Sequence, residues 1–452
     1  MKQVREINLS GLVGVTHNYC GLTLGHTTNI SFEGNETNPR QAALEALERI
    51  KMLHDRGVVQ IIMPPHDRPS LFLLKRLGFS GTNQEIIQKA FKQDPIVYAG
   101  ACSASSMWIN SAIMATPSLD TTDGRVHFTP ANLANKFHRS LEQRTNHRFL
   151  KLIFSDEDYF TVHQALPSMN ALNDEGASNF MRFSPAMDQR GLGVFVYRKN
   201  AFKPNAPKPR YHPTGQTCQA SRAISRLHNM QDEHTLFVQQ NPIAVDAGVY
   251  HNDVIATAHK NVLLYHDQAF LDTHKVVRKI EETYQQLYNQ DLCLINVGVH
   301  EITLAEAVHT CLFNSQIIDV NETEMAIIAP SMCQQNKVIK KAIEKFVTDS
   351  RNPITSVSYV PLRDTIKNGG GPASMRLSLF LTEDEQQRIL SSVIFTHELY
   401  EKLKTWISKY YREKLVPNDL ADPQLMVENH SSLDELTQIL KLGSLYDFQK
   451  NL

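Results

Sequence analysis

The clearest periodic pattern of apolar residues predicts a helix over residues 38–56. Its leucines and isoleucines recur every three or four positions, which places them on one helical face. Asn38 is a suitable N-cap, and Gly57 can take the left-handed conformation that ends a helix. The next segment, residues 58–63, is a short, mostly apolar run that two prolines terminate, and it predicts a buried strand. A helix that leads directly into a buried strand is typical of α/β layering.

The same alternation of helical and strand patterns continues towards the C-terminus. Further strands are predicted over residues 192–197, 235–239, 253–258, 262–266, 325–328, 356–360 and 375–381. Further helices are predicted over residues 82–92, 272–288, 303–318, 336–348, 394–415 and 432–442. No linker rich in Pro, Ser or Gly divides the chain and no internal repeat is evident, so the pattern predicts one α/β domain over residues 1–452.

The charge balance argues against nucleic acid as a partner. The 452 residues include 46 Lys and Arg against 47 Asp and Glu, a net charge of −1, which leaves no basic surplus for a phosphate backbone. The N-terminal region has no sustained apolar segment and nowhere do 18 apolar residues run together, so neither secretion nor a membrane span is expected. The six cysteines are scattered singly without CxxC pairs, which favours reduced thiols and a cytoplasmic location.

Three polar clusters are candidates for chemistry because they fall in loops or at strand ends. They are Asn-Asp-Glu-Gly at 173–176, Tyr-His-Asn-Asp at 250–253 and Asn-Gly-Gly-Gly-Pro-Ala-Ser at 368–374. Together they offer a carboxylate, an imidazole and a hydroxyl on a glycine-rich loop, which an acyl- or amidino-transfer site needs. Each has a structural alternative, namely a simple turn, a hydrogen-bonded histidine at a strand end, and a tight inter-strand loop. Three consecutive glycines cost backbone entropy, which favours a close approach of another group to the main chain.

Other motifs begin like known sites but are incomplete. The His-Glu pairs at 300–301 and 397–398 lack the second histidine, four residues after the first, that a zinc-binding helix needs. The Gly-Leu-Gly at 191–193 lacks a third glycine and precedes a strand, so it does not predict a dinucleotide-binding loop. No metal site is therefore expected.

Nine segments spread from residue 11 to residue 425 resemble one known family. They are Gly-Leu-Val-Gly-Val-Thr-His-Asn-Tyr at 11–19, Ile-Met-Pro-Pro-His-Asp-Arg-Pro at 62–69, Asn-Lys-Phe-His-Arg-Ser-Leu at 135–141, Asp-Glu-Gly-Ala at 174–177, Gln-Asn-Pro at 240–242, His-Asn-Asp-Val-Ile-Ala at 251–256, Leu-Phe-Asn-Ser-Gln at 312–316, Asn-Gly-Gly-Gly-Pro-Ala at 368–373 and Leu-Ala-Asp-Pro-Gln-Leu at 420–425. The chain resembles the N-succinylarginine dihydrolase family over essentially its whole length. This resemblance implies the pentein fold of the amidinotransferase-like enzymes, a pseudo-fivefold α/β propeller of ββαβ units.

The resemblance also implies a reaction and its catalytic residues. The reaction is hydrolysis of N2-succinyl-L-arginine with two waters to N2-succinyl-L-ornithine, carbon dioxide and two ammonia, without metal or organic cofactor, by a cytoplasmic homodimer. The implied catalytic residues are Glu175, His251 and the residue at 374. A guanidinium carbon is a poor electrophile, so paired carboxylates such as Glu175 and Asp253 would hold the group planar during attack. His251 suits proton transfer, because an ordinary imidazole titrates near neutrality.

Ser374 is the departure that matters most, because the family carries its cysteine nucleophile at this position. A serine hydroxyl is a far weaker nucleophile unless a base is well placed. One interpretation is a Cys→Ser replacement made to trap substrate, and another is a natural variant with altered or lost activity. Two alternative functions also stay open: a non-catalytic relative that binds the substrate, and a hydrolase or amidinotransferase for another guanidino compound.

The resemblance implies further positions that bind the two carboxylates and the rest of the substrate. The full expected set is Cys20, Gly21, Leu22, Thr23, Leu24, Gly25, His26, Thr27, Thr28, Asn29, His138, Arg139, Asp253 and Asn368. His138 and Arg139 match the family's carboxylate-binding pair, and a solvated face is their structural alternative. Ser111 stands where the family has an asparagine, and Gly215 stands where it has an arginine that Arg210 could replace. These two departures leave the N-acyl specificity open.

Overall fold

A computed structural model describes residues 3–20, 34–212 and 214–450. The expected substrate-binding positions from Gly21 to Asn29 lie outside the described residues. The strands are β1 (Val4–Gly11), β2 (Val59–Met63), β3 (Ile113–Thr116), β4 (Val126–Pro130), β5 (Phe160–Val162), β6 (Phe180–Phe183), β7 (Leu192–Tyr197), β8 (Thr235–Gln239), β9 (Ala256–His259), β10 (Val262–His266), β11 (Cys293–Val297), β12 (Gln316–Asp319), β13 (Met325–Pro330), β14 (Ile354–Val360) and β15 (Arg376–Thr382). The helices are α1 (Pro39–Asp55), α2 (Leu71–Arg76), α3 (Asn83–Gln93), α4 (Pro95–Cys102), α5 (Ile109–Ala112), α6 (Gln143–Ile153), α7 (Cys218–Leu227), α8 (Pro242–Asp246), α9 (Thr273–Tyr288), α10 (Leu304–Thr310), α11 (Ser331–Gln335), α12 (Lys337–Val347), α13 (Arg363–Ile366), α14 (Glu383–Gln387), α15 (His397–Tyr410) and α16 (Pro423–Ile439).

In the described residues the strands form five three-stranded sheets that share one topology. The strand orders are β15-β1-β2, β3-β4-β5, β6-β7-β8, β9-β10-β11 and β12-β13-β14. In every sheet the middle strand pairs antiparallel with the first strand and parallel with the third. Helices join each middle strand to its parallel partner, as a parallel pair requires: α1, α6, α7 and α9 in the first four sheets, and α11 with α12 in the fifth. The chain is therefore an α/β protein built from ββαβ units, a repeat that the sequence pattern did not reveal.

The two ends of the chain meet in the first sheet. Strand β15 pairs with β1 from Val4 opposite Thr382 to Ser10 opposite Arg376. After β15 the chain continues into α15, which packs against both α1 and α16. Trp406 of α15 is 1% exposed, and its indole N–H donates to the carbonyl oxygen of Ser432 at 2.8 Å. The C-terminal helices therefore cover the outer face of the first unit.

The largest apolar cluster lies between the first two sheets and these terminal helices. It combines side chains of β1, β2, β4 and β15 with those of α1, α6 and α15. Phe128 and Phe154 stack within it with ring centres 4.3 Å apart. Two further clusters fill the spaces around β7 with β10, and around β10 with β13. In the part of the chain that the structure describes, no helix is long and apolar enough to cross a membrane.

The starts of two predicted helices that carry capping residues are confirmed. The side chain of Asn38 accepts a hydrogen bond from the backbone N–H of Gln41 at the start of α1. Thr82 and Glu85 form a complete capping box at the start of α3. Capping depends on residues within one turn of each other, which is why the sequence predicts it well.

Several predicted elements are wrong in part: the helix predicted over 432–442 already begins at Pro423, and the one predicted over 394–415 spans only His397–Tyr410. The helix predicted over 303–318 stops after α10 because Cys311 adopts a left-handed backbone with φ of 53°, and the chain then forms strand β12. The strand predicted over 253–258 begins only with β9, since Asp253 belongs to a 3-10 turn before it. The last correction matters for the site, because it takes Asp253 off the sheet.

Candidate active site

Ser374 and His251 line one cavity of about 840 Å³. The glycines at 369–371 and the side chain of Asn314 form part of its wall. Glu175 lies behind this wall, with Oε2 3.7 Å from Nε2 of His251. The structure therefore brings the three predicted catalytic residues together from three different ββαβ units.

The glycine loop is held in place by Asn314. Its Oδ1 accepts hydrogen bonds from the backbone N–H groups of Gly371 at 2.9 Å and of Ser374 at 3.1 Å. A Cβ on Gly371 would lie 2.9 Å from this same oxygen, and a Cβ on Gly370 would lie 3.0 Å from the ring of Trp108. The close approach predicted from three consecutive glycines is therefore present, and neighbouring protein side chains make it.

Asp253 is the carboxylate beside Ser374. Its Oδ2 accepts a hydrogen bond from Oγ of Ser374 at 3.4 Å and from the amide of Asn110 at 2.9 Å. Its Oδ1 has no hydrogen-bond partner among the described residues. Burial raises the pKa of Asp253 to about 6, and the hydrogen bonds that it accepts oppose this rise. Within the described chain no ion pair reaches this carboxylate, so its pKa stays well above the ordinary value near 3.8.

Glu175 is fully buried and has two cationic neighbours. Its Oε1 lies 2.6 Å from Nζ of Lys136, and its Oε2 lies 3.5 Å from Nη2 of Arg198. The backbone N–H of Gln216 also donates to Oε2 at 3.2 Å. Burial alone would raise the pKa of Glu175, but the charges of Arg198 and Lys136 outweigh it and hold that pKa well below its ordinary value. The following Gly176 does form a turn, with φ of 64°, yet the acidic side chain is part of a buried charged network.

His251 connects this network to the cavity. Its Nε2 lies 3.0 Å from Nζ of Lys136, and because an ammonium group only donates, Nε2 accepts and the ring proton is on Nδ1. Burial and the charge of Lys136 hold the pKa of His251 well below its ordinary value. The expectation from the sequence was an imidazole that titrates near neutrality, whereas the structure gives a neutral ring whose acceptor nitrogen faces Lys136.

His138 and Arg139 are both buried, so their alternative as a solvated face is wrong. The guanidinium of Arg139 binds Glu142 with two hydrogen bonds of 2.8 and 2.7 Å. Its Nη1 also donates to Oγ of Ser111 at 2.7 Å. These protein groups occupy the donors of Arg139, and its role in binding a substrate carboxylate stays a prediction.

Both polar atoms of the Asn368 side chain are hydrogen-bonded to other groups of the protein. Its Oδ1 accepts from Oγ of Ser105 and from the indole of Trp108, both at 3.0 Å, and its Nδ2 donates to the carbonyl oxygen of Asn18 at 2.8 Å. This arrangement fixes the start of the glycine loop. The backbone N–H of Cys20 donates to the side chain of Asn18 at 2.8 Å. Substrate contacts of Asn368 and Cys20 stay predictions.

The glutamates of the two incomplete zinc motifs form surface ion pairs. Glu301 forms an ion pair with Lys345 at 2.5 Å, and Glu398 forms one with Lys402 at 2.6 Å. Among the residues that the structure describes, no group of three or more His, Cys, Asp or Glu side chains is arranged to hold a metal ion.

Three residues of this site were not identified from the sequence: Lys136, Arg198 and Asn314. Lys136 and Asn314 belong to segments that carry the family resemblance, at 135–141 and 312–316. A search of those segments for partners of the predicted catalytic groups could have found both. Arg198 directly follows strand β7, where a single basic residue is an ordinary strand end, so no sequence signal pointed to it.

A buried carboxylate network, an imidazole and a hydroxyl around one cavity are typical of a hydrolytic enzyme. The chain matches the family model of succinylarginine dihydrolase over residues 3–449. It is 45% identical over 445 residues to the N-succinylarginine dihydrolase of Shewanella putrefaciens, covering 98% of this chain and 99% of the relative. It is also 45% identical over 444 residues to the enzyme of the same name from Pseudoalteromonas translucida, covering 98% of each chain. Among solved structures, the product-bound N-terminal domain of the cyanobacterial arginine dihydrolase ArgZ is 14% identical, covers 83% of this chain and 97% of that chain, and has a TM-score of 0.49. The chain therefore belongs to the succinylarginine dihydrolase family and is a hydrolase of carbon–nitrogen bonds.

Proposed function

We propose that this protein hydrolyses N2-succinyl-L-arginine with two waters to N2-succinyl-L-ornithine, carbon dioxide and two ammonia in arginine catabolism. The observation that carries the proposal is the shared cavity of Ser374 and His251, with Glu175 3.7 Å behind the imidazole. Membership of the family, and relatives that bear the name of this activity, support the choice of substrate.

The proposed reaction proceeds through covalent adducts on residue 374. Its side chain attacks the guanidino carbon and gives up its proton, and the first ammonia leaves with a proton, so that an amidino adduct remains. A first water adds to this adduct and the second ammonia leaves, which gives a carbamoyl adduct. A second water releases a carbamic acid and restores the proton on residue 374. The carbamic acid then splits into carbon dioxide and the free amine of succinylornithine.

Asp253 is the carboxylate that we place against the substrate guanidinium. It lies beside Ser374, and its unpartnered Oδ1 can accept an N–H of the incoming cation. Because its pKa is raised to about 6 by burial, an adjacent cation would favour its ionised form. Glu175 already has Lys136 and Arg198 as partners, so its proposed role is to fix the Lys136–His251 arrangement.

We also propose that the five units surround the site as a pseudo-fivefold propeller. In four units the segment just before the first strand supplies one of Asn110, which lies in the short helix α5, Glu175, Asp253 and Asn314, and the loop before β15 supplies Ser374. The first strands β3, β6, β9 and β15 line one small central cavity of about 110 Å³. A side chain of β12 reaches the same centre, where Asp319 Oδ1 lies 3.1 Å from Nε2 of His259 on β9. Each of the five units thus contributes a polar side chain from the segment just before its first strand, and this equivalence supports an arrangement around one axis.

The nucleophile is tested by the substitution Ser374→Cys. We expect this variant to release two ammonia for each succinylornithine formed, faster than the parent, because a thiolate forms far more readily than an alkoxide. Ammonia and succinylornithine would be measured together, with Ser374→Ala as the matched variant that has no nucleophile. A folded Ser374→Cys protein that binds succinylarginine without releasing ammonia would contradict the proposal.

Ser374 also supports a second candidate, a protein that binds succinylarginine without turning it over. This candidate predicts equal affinity of the parent and Ser374→Ala for succinylarginine, with no ammonia from either. A parent that turns over faster than Ser374→Ala would exclude it. Affinities for arginine, agmatine and citrulline, measured in the same way, would test the third possibility of another guanidino substrate.

The homodimer stays a prediction that rests on the family resemblance, and the cytoplasmic location stays one that rests mainly on the scattered single cysteines. Analytical ultracentrifugation of the purified protein would test the dimer directly.

A further inference from the structure

Arg198 has a guanidinium group that the protein uses only in part. Its side chain is 2% exposed, and it follows strand β7 with its backbone N–H bonded to the carbonyl oxygen of Gln216 at 2.9 Å. Nη1 donates to the carbonyl oxygen of Thr214 at 2.5 Å. Nε and Nη2 have no hydrogen-bond partner in the described chain. Nη2 lies 3.5 Å from Oε2 of Glu175 without a hydrogen bond, so two adjacent N–H donors of a buried guanidinium lack an acceptor, which is costly unless a ligand provides one.

The charges around Arg198 point to an anion as that ligand. Lys136 and Arg198 are two cations that share one partner, Glu175. His251 contributes no charge, because its ring is neutral. Asp174 is the next carboxylate, but it accepts from the side chain of Gln216, and no ion pair in the described residues joins it to either cation. The network therefore has room for one more negative charge.

Gly215 provides the space in which this guanidinium lies. A Cβ at position 215 would come within 2.4 Å of both Cδ and Nη1 of Arg198. The backbone of Gly215 also has φ of 152°, a conformation that side-chain-bearing residues rarely adopt. Any larger residue at 215 would displace Arg198, so the position of the guanidinium depends on this glycine.

Arg198 does not line the active-site cavity itself, but its guanidinium lies next to a residue that does. The guanidinium carbon is 5.9 Å from the ring centre of Tyr250, and both Tyr250 and His251 line the cavity. The side-on edge formed by Nε and Nη2 matches the two oxygens of a carboxylate. We propose that Arg198 is a specificity-determining residue that binds one carboxylate of the substrate through this edge. The inference rests on the proposed function, because N2-succinylarginine carries two carboxylates. One is the α-carboxylate of its arginine part, and the other ends its succinyl group.

The test compares three ligands by isothermal titration calorimetry. They are N2-succinylarginine, N2-butanoylarginine, which lacks the succinyl carboxylate, and N-succinylagmatine, which lacks the α-carboxylate. The proteins are the parent, Arg198→Met, Arg198→Lys and the control Arg222→Met, which removes an exposed arginine from α7. Thermal unfolding of each protein shows that it is folded.

We expect Arg198→Met to weaken binding of succinylarginine by about 10- to 100-fold, as loss of a bidentate charged contact does. Arg198→Lys keeps the charge without the fork and should give an intermediate loss, while Arg222→Met should give none. The analogue without the contacted carboxylate should bind Arg198→Met as well as it binds the parent. If that analogue is butanoylarginine, the contact is to the succinyl carboxylate, and if it is succinylagmatine, the contact is to the α-carboxylate.

Two results would overturn the inference while leaving the proposed function intact. One is undiminished affinity of Arg198→Met for succinylarginine, and the other is an equal loss for all three ligands, which indicates a structural role. A folded parent that binds none of the three ligands would instead refute the proposed function, and the inference with it.

Discussion

Glu175 and Asp253 are two buried carboxylates that contact residues of the active-site cavity, His251 and Ser374 respectively, and they differ in what neutralises their charge. Glu175 lies 2.6 Å from Lys136 and 3.5 Å from Arg198, and these charges lower its pKa despite its burial. Asp253 accepts hydrogen bonds from the neutral side chains of Asn110 and Ser374, and burial raises its pKa to about 6. Burial therefore has opposite outcomes at the two positions, because only one of them has a cation in contact.

In our proposal this difference assigns the surroundings of the two carboxylates to different parts of the substrate. The Glu175 network has more cations than carboxylates and suits an anion, while Asp253 has an unpartnered oxygen and suits a cation. N2-succinylarginine has both kinds of group, a guanidinium at one end and carboxylates at the other. The paired clamp of Glu175 and Asp253 expected from the sequence is therefore replaced, in our proposal, by Asp253 alone at the guanidinium.

The largest effect is expected from Glu175→Gln, which tests whether Lys136 and Arg198 need Glu175 as their counter-charge. Removing the charge leaves Lys136 and Arg198 buried without a counter-charge, so we expect the free energy of unfolding to fall by about 3–5 kcal/mol at pH 7.5. Urea denaturation measures this value. Glu301→Gln is the matched control, because Glu301 pairs with Lys345 on the surface and its loss should change little. A Glu175→Gln protein as stable as the parent would show that the two cations do not need this partner.

Asp253→Asn should instead raise the free energy of unfolding. The pKa of Asp253 is about 6 in the folded protein against an ordinary value near 3.8, so folding favours its protonated form and the ionised form costs stability as pH rises through this interval. At 1.36 kcal/mol per pKa unit, we expect the amide variant to gain about 2–3 kcal/mol at pH 7.5 and close to nothing at pH 4. Urea denaturation at both pH values measures the difference, with the exposed Asp188→Asn as control.

The same variant should bind succinylarginine less tightly than the parent, since it removes the charge that our proposal places against the guanidinium. A gain in stability together with a loss of affinity would separate a functional carboxylate from a structural one. If Asp253→Asn is destabilised at pH 7.5, the comparison with Glu175 fails.

Features of the fold that depend on neighbouring residues could be predicted from the sequence. The helix α1 was predicted within a residue at each end, because Asn38 and Gly57 mark its ends locally. Strands such as β3, β5 and β6 were missed, since they are three or four residues long and give no period to detect. The shared topology of the five units became visible only through strand pairing, which joins residues as far apart as Val4 and Thr382.

The candidate site shows the same limit. Resemblance to the family selected Glu175, His251 and position 374, and the structure brings them to one place. The resemblance could not show that Arg198 lies next to Glu175. The two residues come from separate loops, and a basic residue after a strand usually faces solvent. The charge state of each group also depends on partners that are distant in sequence, so the lowered pKa of His251 could not be predicted from its residue type.

The smallest expected change tests the link between the Glu175 network and the cavity. In Lys136→Gln the positive charge 3.0 Å from Nε2 of His251 is lost, so the pKa of His251 should rise towards its ordinary value. Histidine NMR titration measures this change, with the resonance of His251 identified by its absence in His251→Gln. Lys151→Gln, which removes a surface charge paired with Glu157, should leave the His251 titration unchanged. If His251 titrates identically in Lys136→Gln and in the parent, burial alone sets its pKa, and the Glu175 network does not control the imidazole that faces the substrate.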